Sequence, residues 1–264
     1  MGERRLVVRF ESKRQRQYRQ VTERPFPAEW RRLLAMSWAG WHSLTLDERS
    51  RLEPMIQEFV AGKRWEAAQG FQLAEEMIVL IAAQACLLVL ELPADYYRGV
   101  GSIIVHPTTM VIDGPRSTDN SGVLQSGPFP IQGQAQYEGP VVVAWDAVRR
   151  EARYPEYGNN VVFHEFAHKL DMLDGTVDGM PPLPDSASRK QWIDVCTREY
   201  EALKDETSGP LIREYGAVNP GEFFAVVSEI FFCRPVEMRA EKPELYAVLA
   251  GFYRQNPALR VAGE

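Results

Sequence analysis

The sequence predicts an α+β fold, mainly helical with one small sheet, and three observations carry that expectation. Apolar residues recur at helical spacing on both flanks of the chain, β-branched runs are confined to its middle, and no motif repeats along its length. Hydrophobic residues make up 45% of the 264, enough to bury a substantial core.

Taken in order, residues 1–24 form a basic arm, with eight Arg or Lys against three Glu and a net charge of +5. The remainder holds 22 of the 30 basic and 33 of the 36 acidic residues, a net of −11. This asymmetry reads as an arm appended to an acidic body, with a solvated extension expected rather than a nucleic-acid or membrane contact. The arm lacks the apolar stretch of a secretory signal, so the expected location is cytoplasmic. A main domain is expected over 25–257 and a short tail over 258–264.

Pro27 opens a helical stretch with Trp30, Leu33, Leu34 and Trp38, and Thr45 followed by Glu48 is a capping-box pattern that starts a second. A third, strongly apolar helix is expected from about Leu73 to Leu90. Its apolar run from Met77 is too short to span a bilayer, so no membrane segment is expected. Ser102–Val105, Thr108–Ile112 and Val141–Trp145 are β-branched runs that read as strands. Residues 113–139, rich in Gly, Ser, Pro and Gln, are expected to be irregular. Helices return at 160–173, 188–204, 220–233 and 243–253. Cys86, Cys196 and Cys233 are odd in number, widely spaced and set among apolar neighbours, which fits buried reduced thiols better than a disulfide framework.

The chemistry concentrates at His164-Glu-Phe-Ala-His168. On a helix, residues four apart share one face, so both imidazoles can reach one zinc ion, while Glu165 points about 100° away and can act as general base on a water. Asn159 or Asn160 can cap this helix, and Gly175 lies past its end. A catalytic zinc needs a third protein ligand. One candidate is Asp174, the position used when the motif continues through a sharp glycine turn; residue 171, where that glycine would stand, is Asp171. The preferred candidate is Glu222, near the start of a helix that Asn219 can cap and Pro220 can open. That choice gives the gluzincin arrangement. Glu229, two turns further along the same face, and Asp171, one turn past His168, are candidate hydrogen-bond partners for the imidazoles.

These residues carry a resemblance. His164–Asp171 preceded by Gly158-Asn-Asn-Val-Val162, Tyr215 with Pro220-Gly-Glu-Phe-Phe-Ala-Val-Val-Ser-Glu229, and Ile81-Ala-Ala-Gln-Ala-Cys-Leu-Leu88 together resemble the Mlc titration factor A family of zinc metallopeptidases, whose catalytic region is related to anthrax lethal factor. The resemblance spans roughly residues 25–257. It implies a zincin-like metallopeptidase domain holding one Zn2+ on His164, His168 and Glu222, with Glu165 as catalytic base and Tyr215 in the site. It also implies an aminopeptidase-type activity on peptide substrates and, in enteric members, binding to the repressor Mlc. The segment Gly133-Gln-Ala-Gln-Tyr137 carries glutamine where the family would have a Gly-Glu-Ala-Trp-like stretch.

The expected reaction is hydrolysis of a peptide bond, with Tyr215 as a hydroxyl donor to the oxyanion and Val141–Trp145 as the sheet edge that receives an extended substrate. The loop Gly175–Pro184, which follows the metal helix, reads either as a border of the cleft or as a plain helix connection. The rival class is a regulatory protein that sequesters a transcriptional repressor resembling Mlc, with zinc kept as structure.

Overall fold

The computed structural model describes residues 23–93, 96–117, 124–131, 133–135 and 139–261, so the basic arm through residue 22 lies outside the described residues. Helices α1 (Ala28–Ser37), α2 (Ala39–Ser43) and α3 (Leu46–Gly62) precede strand β1 (Arg64–Ala67). The sequence-predicted first helix is broken at Trp38, which turns extended and buries its indole. At the start of α3 the capping box forms in full: the Glu48 N–H donates to Thr45 Oγ1 at 3.2 Å, and the Thr45 N–H donates to Glu48 Oε2 at 2.9 Å.

Helix α4 (Glu75–Leu88) is buried along its last ten residues, so it is apolar all round rather than striped. No described helix is long and apolar enough to cross a membrane. After α4 come β2 (Ser102–His106), β3 (Met110–Ser117), β4 (Leu124–Ile131), β5 (Gly133–Ala135), β6 (Val141–Ala144) and α5 (Trp145–Arg153). The main sheet has the order β1-β2-β6-β5. Its first three strands are parallel and β5 is antiparallel, with Gly133 opposite Val143 and Ala135 opposite Val141.

The structure departs from the sequence expectation in two places. The stretch 113–139, expected to be irregular, contains most of a hairpin: β3 and β4 pair from Met110 opposite Ile131 to Ser117 opposite Leu124. Its prolines hid the pattern. Pro115, Pro128 and Pro130 all fall on alternate pairs of the register, a spacing at which all three can occupy non-hydrogen-bonded pairs, where N–H groups point away from the partner strand and a missing one costs the ladder no bond. The second correction concerns the sheet edge. β6 is flanked by both β2 and β5, so among the described residues the terminal strand on that side is β5, a Gly-Gln-Ala segment too short and too polar to show a period-2 signature. Strand β1, helix α5 and helix α9 (Pro235–Glu241) were also not anticipated.

The metal-motif helix α6 (Val161–Asp171) packs across this sheet and against α4. Phe166 is fully buried, with ring centroids 4.9 Å from Tyr97 and 5.7 Å from Phe59. Helices α7 (Ser186–Lys204), α8 (Pro220–Cys233), α9, α10 (Pro243–Tyr253) and α11 (Pro257–Val261) complete the chain. The region expected as a tail from 258 lies largely within α11: Ala258 is fully buried, and Arg260 donates to Glu48 Oε1 and to Gln255 Oε1.

Candidate metal centre

Local sequence sets both helices of the centre. Asn160 caps α6 by accepting the Phe163 N–H at 2.9 Å, and Gly175 ends the following turn at a φ of 94°. Asn219 caps α8 by accepting the Glu222 N–H at 2.9 Å, with Pro220 in the first turn. The two helices run antiparallel. Gly221 at the start of α8 lies beside Asp171 at the end of α6, while Phe232 near the end of α8 packs tilted against Phe163 with centroids 5.2 Å apart.

This packing brings Glu222 to the histidines. His164 Nε2 is 3.2 Å from His168 Nε2 and 3.0 Å from Glu222 Oε2, and His168 Nε2 is 3.4 Å from that same oxygen. Donor atoms about 2.1 Å from a tetrahedral zinc stand about 3.4 Å apart. The three atoms therefore nearly form one face of such a tetrahedron, and Glu222 Oε2 is buried facing the two Nε2 atoms. His164, His168 and Glu222 are the group among the described residues suited to hold a metal ion. Asp174, the alternative third ligand, is exposed, and its Oδ1 accepts from the Thr176 N–H and hydroxyl.

Glu229 fixes the first imidazole. Its Oε1 lies 2.8 Å from His164 Nδ1 and 2.5 Å from Arg213 Nη2, and its Oε2 accepts the Asn160 N–H at 2.5 Å. A proton on Nδ1 leaves Nε2 with its lone pair facing the cluster. Glu229 is thus the imidazole partner that its spacing suggested. Asp171 is not bonded to His168: its Oδ2 accepts the Gly179 N–H at 3.1 Å, tying the loop after α6 to the beginning of α8.

Glu165 is 4% exposed and its Oε2 has no hydrogen-bond partner among the described residues. Burial pushes its carboxyl up to about 7, against the downward pull of both imidazoles. Burial alone would lower the His164 imidazole, but its hydrogen bonds to the Glu222 and Glu229 carboxylates, which accept, reverse the sign and carry it up to about 10. Burial also opposes charge on Glu222, yet the same imidazoles hold it well below the ordinary carboxylate range. Three acids around two imidazoles make a site that stabilises positive charge, which suits a cation. Tyr215 stands at the rim, half exposed, with its ring centroid 5.9 Å from that of His164.

Some supporting residues had no sequence signature. Arg213, from the loop before the 3-10 turn Glu214–Ala217, bonds Asn159 Oδ1 as well as Glu229. Gln84, buried in the middle of apolar α4, accepts from Asn160 Nδ2 at 2.6 Å. Lys169, 5% exposed, donates to the Gly139 carbonyl at 3.0 Å. Its place four residues after Glu165 was the one available hint that it shares the face of Glu165.

Comparison with known proteins agrees with this geometry. The model of the glucose-regulated metallo-peptidase M90 family matches residues 11–254. An uncharacterized protein of Synechocystis is 33% identical over 244 residues, covering 91% of this chain and 89% of its own. Mlc titration factor A of Escherichia fergusonii is 34% identical over 226 residues, covering 83% and 84%, and that of Salmonella typhi is 33% identical over 227, covering 83% of each. A match that contains both metal-motif helices and nearly all of the surrounding core is the evidence for kinship: the chain belongs to the M90 family of glucose-regulated metallo-peptidases.

Proposed function

We propose that the chain is a zinc-dependent, aminopeptidase-like peptidase with His164, His168 and Glu222 as metal ligands and Glu165 as general base. The observation that carries this reading is the triangle of two Nε2 atoms and one carboxylate oxygen, with edges of 3.0 to 3.4 Å, beside a buried carboxylate that is not part of it. A structural zinc is usually closed by four protein ligands, whereas three ligands and an adjacent base leave a place for substrate. The mixed imidazole and carboxylate donor set favours zinc over the hard oxygen-seeking cations.

When bound, zinc supplies Lewis acidity toward the peptide carbonyl and lowers the pKa of the attacking water. Glu165 takes the proton of that water and delivers it to the leaving amine. Glu229 holds His164 in the tautomer and orientation that ligation requires. Tyr215 directs its hydroxyl toward the developing oxyanion from the rim. The peptide adds as a further strand beside β5, the terminal strand of the sheet. The aminopeptidase assignment follows the family resemblance.

Glu165→Gln tests this directly. Hydrolysis of aminoacyl anilides should fall by at least about a hundredfold, as for removal of a general base, while zinc content stays at one per chain. Persistent hydrolysis in that variant would refute the base. A second reading rests on the relatives named Mlc titration factor A: the chain binds a transcriptional repressor resembling Mlc, with or without peptidase activity. Glu165→Gln separates the two, because binding should survive in a variant that no longer cleaves.

A further inference from the structure

The backbone of β5 lies directly on the side chain of Glu165. A Cβ built on Gly133 would sit 2.4 Å from Glu165 Oε1, 2.6 Å from its Cγ and 2.7 Å from its Cδ. Gly133 does not have a positive φ, so the strand conformation itself would accept any residue. Glycine is needed there for close approach alone. Glu165 has little room to yield, since it is 4% exposed and the approach reaches Cγ as well as the carboxylate tip. One turn further along α6, Lys169 donates to the Gly139 carbonyl on the other side of the β5–β6 connection. The hairpin is therefore seated on the helix at two points, and one of them is the base.

We propose that Gly133 is a positioning residue: its missing side chain lets the terminal strand wall in the Glu165 carboxylate and hold it toward the metal cluster. The proposal rests on the reading of Glu165 as base, but the contact can be measured without catalysis. Any side chain at 133 must either lift β5 off α6 or rotate the carboxylate, and misplacement of a catalytic group by about 1 Å costs about a hundredfold in rate.

The test is a cycle of Gly133→Ala in wild-type and Glu165→Ala backgrounds, read by urea denaturation midpoint and zinc content, with anilide kinetics on the single variant. Gly133→Ala should lower the midpoint in the wild-type background and leave it unchanged where Glu165 has been cut back to its Cβ. It should also lower kcat about a hundredfold with zinc still at one per chain. If Gly133→Ala fails to fold, the double variant should fold, because the collision is gone. An equal midpoint loss in both backgrounds, or an unfolded double variant, would overturn the proposal, as would near-normal kcat in Gly133→Ala. Glu165→Gln that still hydrolyses would instead defeat the base and leave the contact standing, so the two failures are distinguishable.

Discussion

Replacing Glu229 by Gln should weaken metal binding and stability together, and the structure sets the size of both effects. The carboxylate is 2% exposed and receives three donors: Arg213 Nη2 at 2.5 Å, His164 Nδ1 at 2.8 Å and the Asn160 N–H at 2.5 Å. Glutamine has the same shape but one acceptor oxygen, and its amide turns two N–H groups toward donors already in place. At least one donor is left facing another. Removing one partner of a buried ion pair costs about 3–5 kcal/mol. The Arg213 side chain is 33% exposed and keeps Asn159, so the lower end applies, about 3 kcal/mol, or on the order of 10 °C in Tm for a chain of this size. Loss of an outer partner of a ligating histidine typically lowers metal affinity about 10- to 100-fold. Thermal unfolding of the metal-free protein gives the first number, and competition with a chromophoric chelator gives the second. A wild-type zinc affinity in Glu229→Gln would refute the argument that Glu229 orients His164.

The choice of third ligand predicts that Glu222→Ala loses zinc on dialysis, whereas Asp174→Ala, which cuts only exposed bonds to Thr176, retains it and shifts Tm little; the reverse pattern would restore Asp174. Gly179 has a φ of 77°, and a Cβ there would lie 2.3 Å from the Pro220 carbonyl oxygen. Gly179→Ala should therefore cost more than about 2 kcal/mol and disturb the turn that presents Glu222, measured as a lower Tm and weaker zinc retention; unchanged values would sink this reading. Burial raises the Glu48 carboxyl, but hydrogen bonds from Arg260 and Thr45 outweigh it and hold it below the ordinary glutamate value. A depressed folded pKa gives stability that is present above the unfolded value and lost as pH falls through the folded one. Acidification should thus lower Tm more in wild type than in Glu48→Gln, and parallel Tm–pH curves would contradict it.

Much of the fold was legible because its signals are local. The capping box at Thr45, the Asn160 and Asn219 caps and Pro220 each act within one turn of chain, so α3, α6 and α8 could be placed from the residues alone. The pairing of His164 with His168 is equally local, being one turn of helix. Strand β5 was not legible, because three residues of Gly-Gln-Ala carry no periodicity and their place depends on β6 and α6. The β3–β4 hairpin was obscured by prolines whose tolerance depends on the pairing register.

The residues that could serve were readable from the chain alone: two imidazoles on one helical face, an acid one residue into the motif, and a capped second helix offering Glu222 and Glu229. It could not decide between Glu222 and Asp174, since either spacing lets a flexible chain reach the histidines. The antiparallel packing of α6 against α8 places Glu222 Oε2 within 3.4 Å of both Nε2 atoms, while Asp174 faces solvent. The same packing recruited Arg213, the packing of α4 on α6 brought in Gln84, and the sheet set Gly133 on Glu165. Each is a contact between residues far apart in sequence, fixed by how buried surfaces fit rather than by any local preference of the chain.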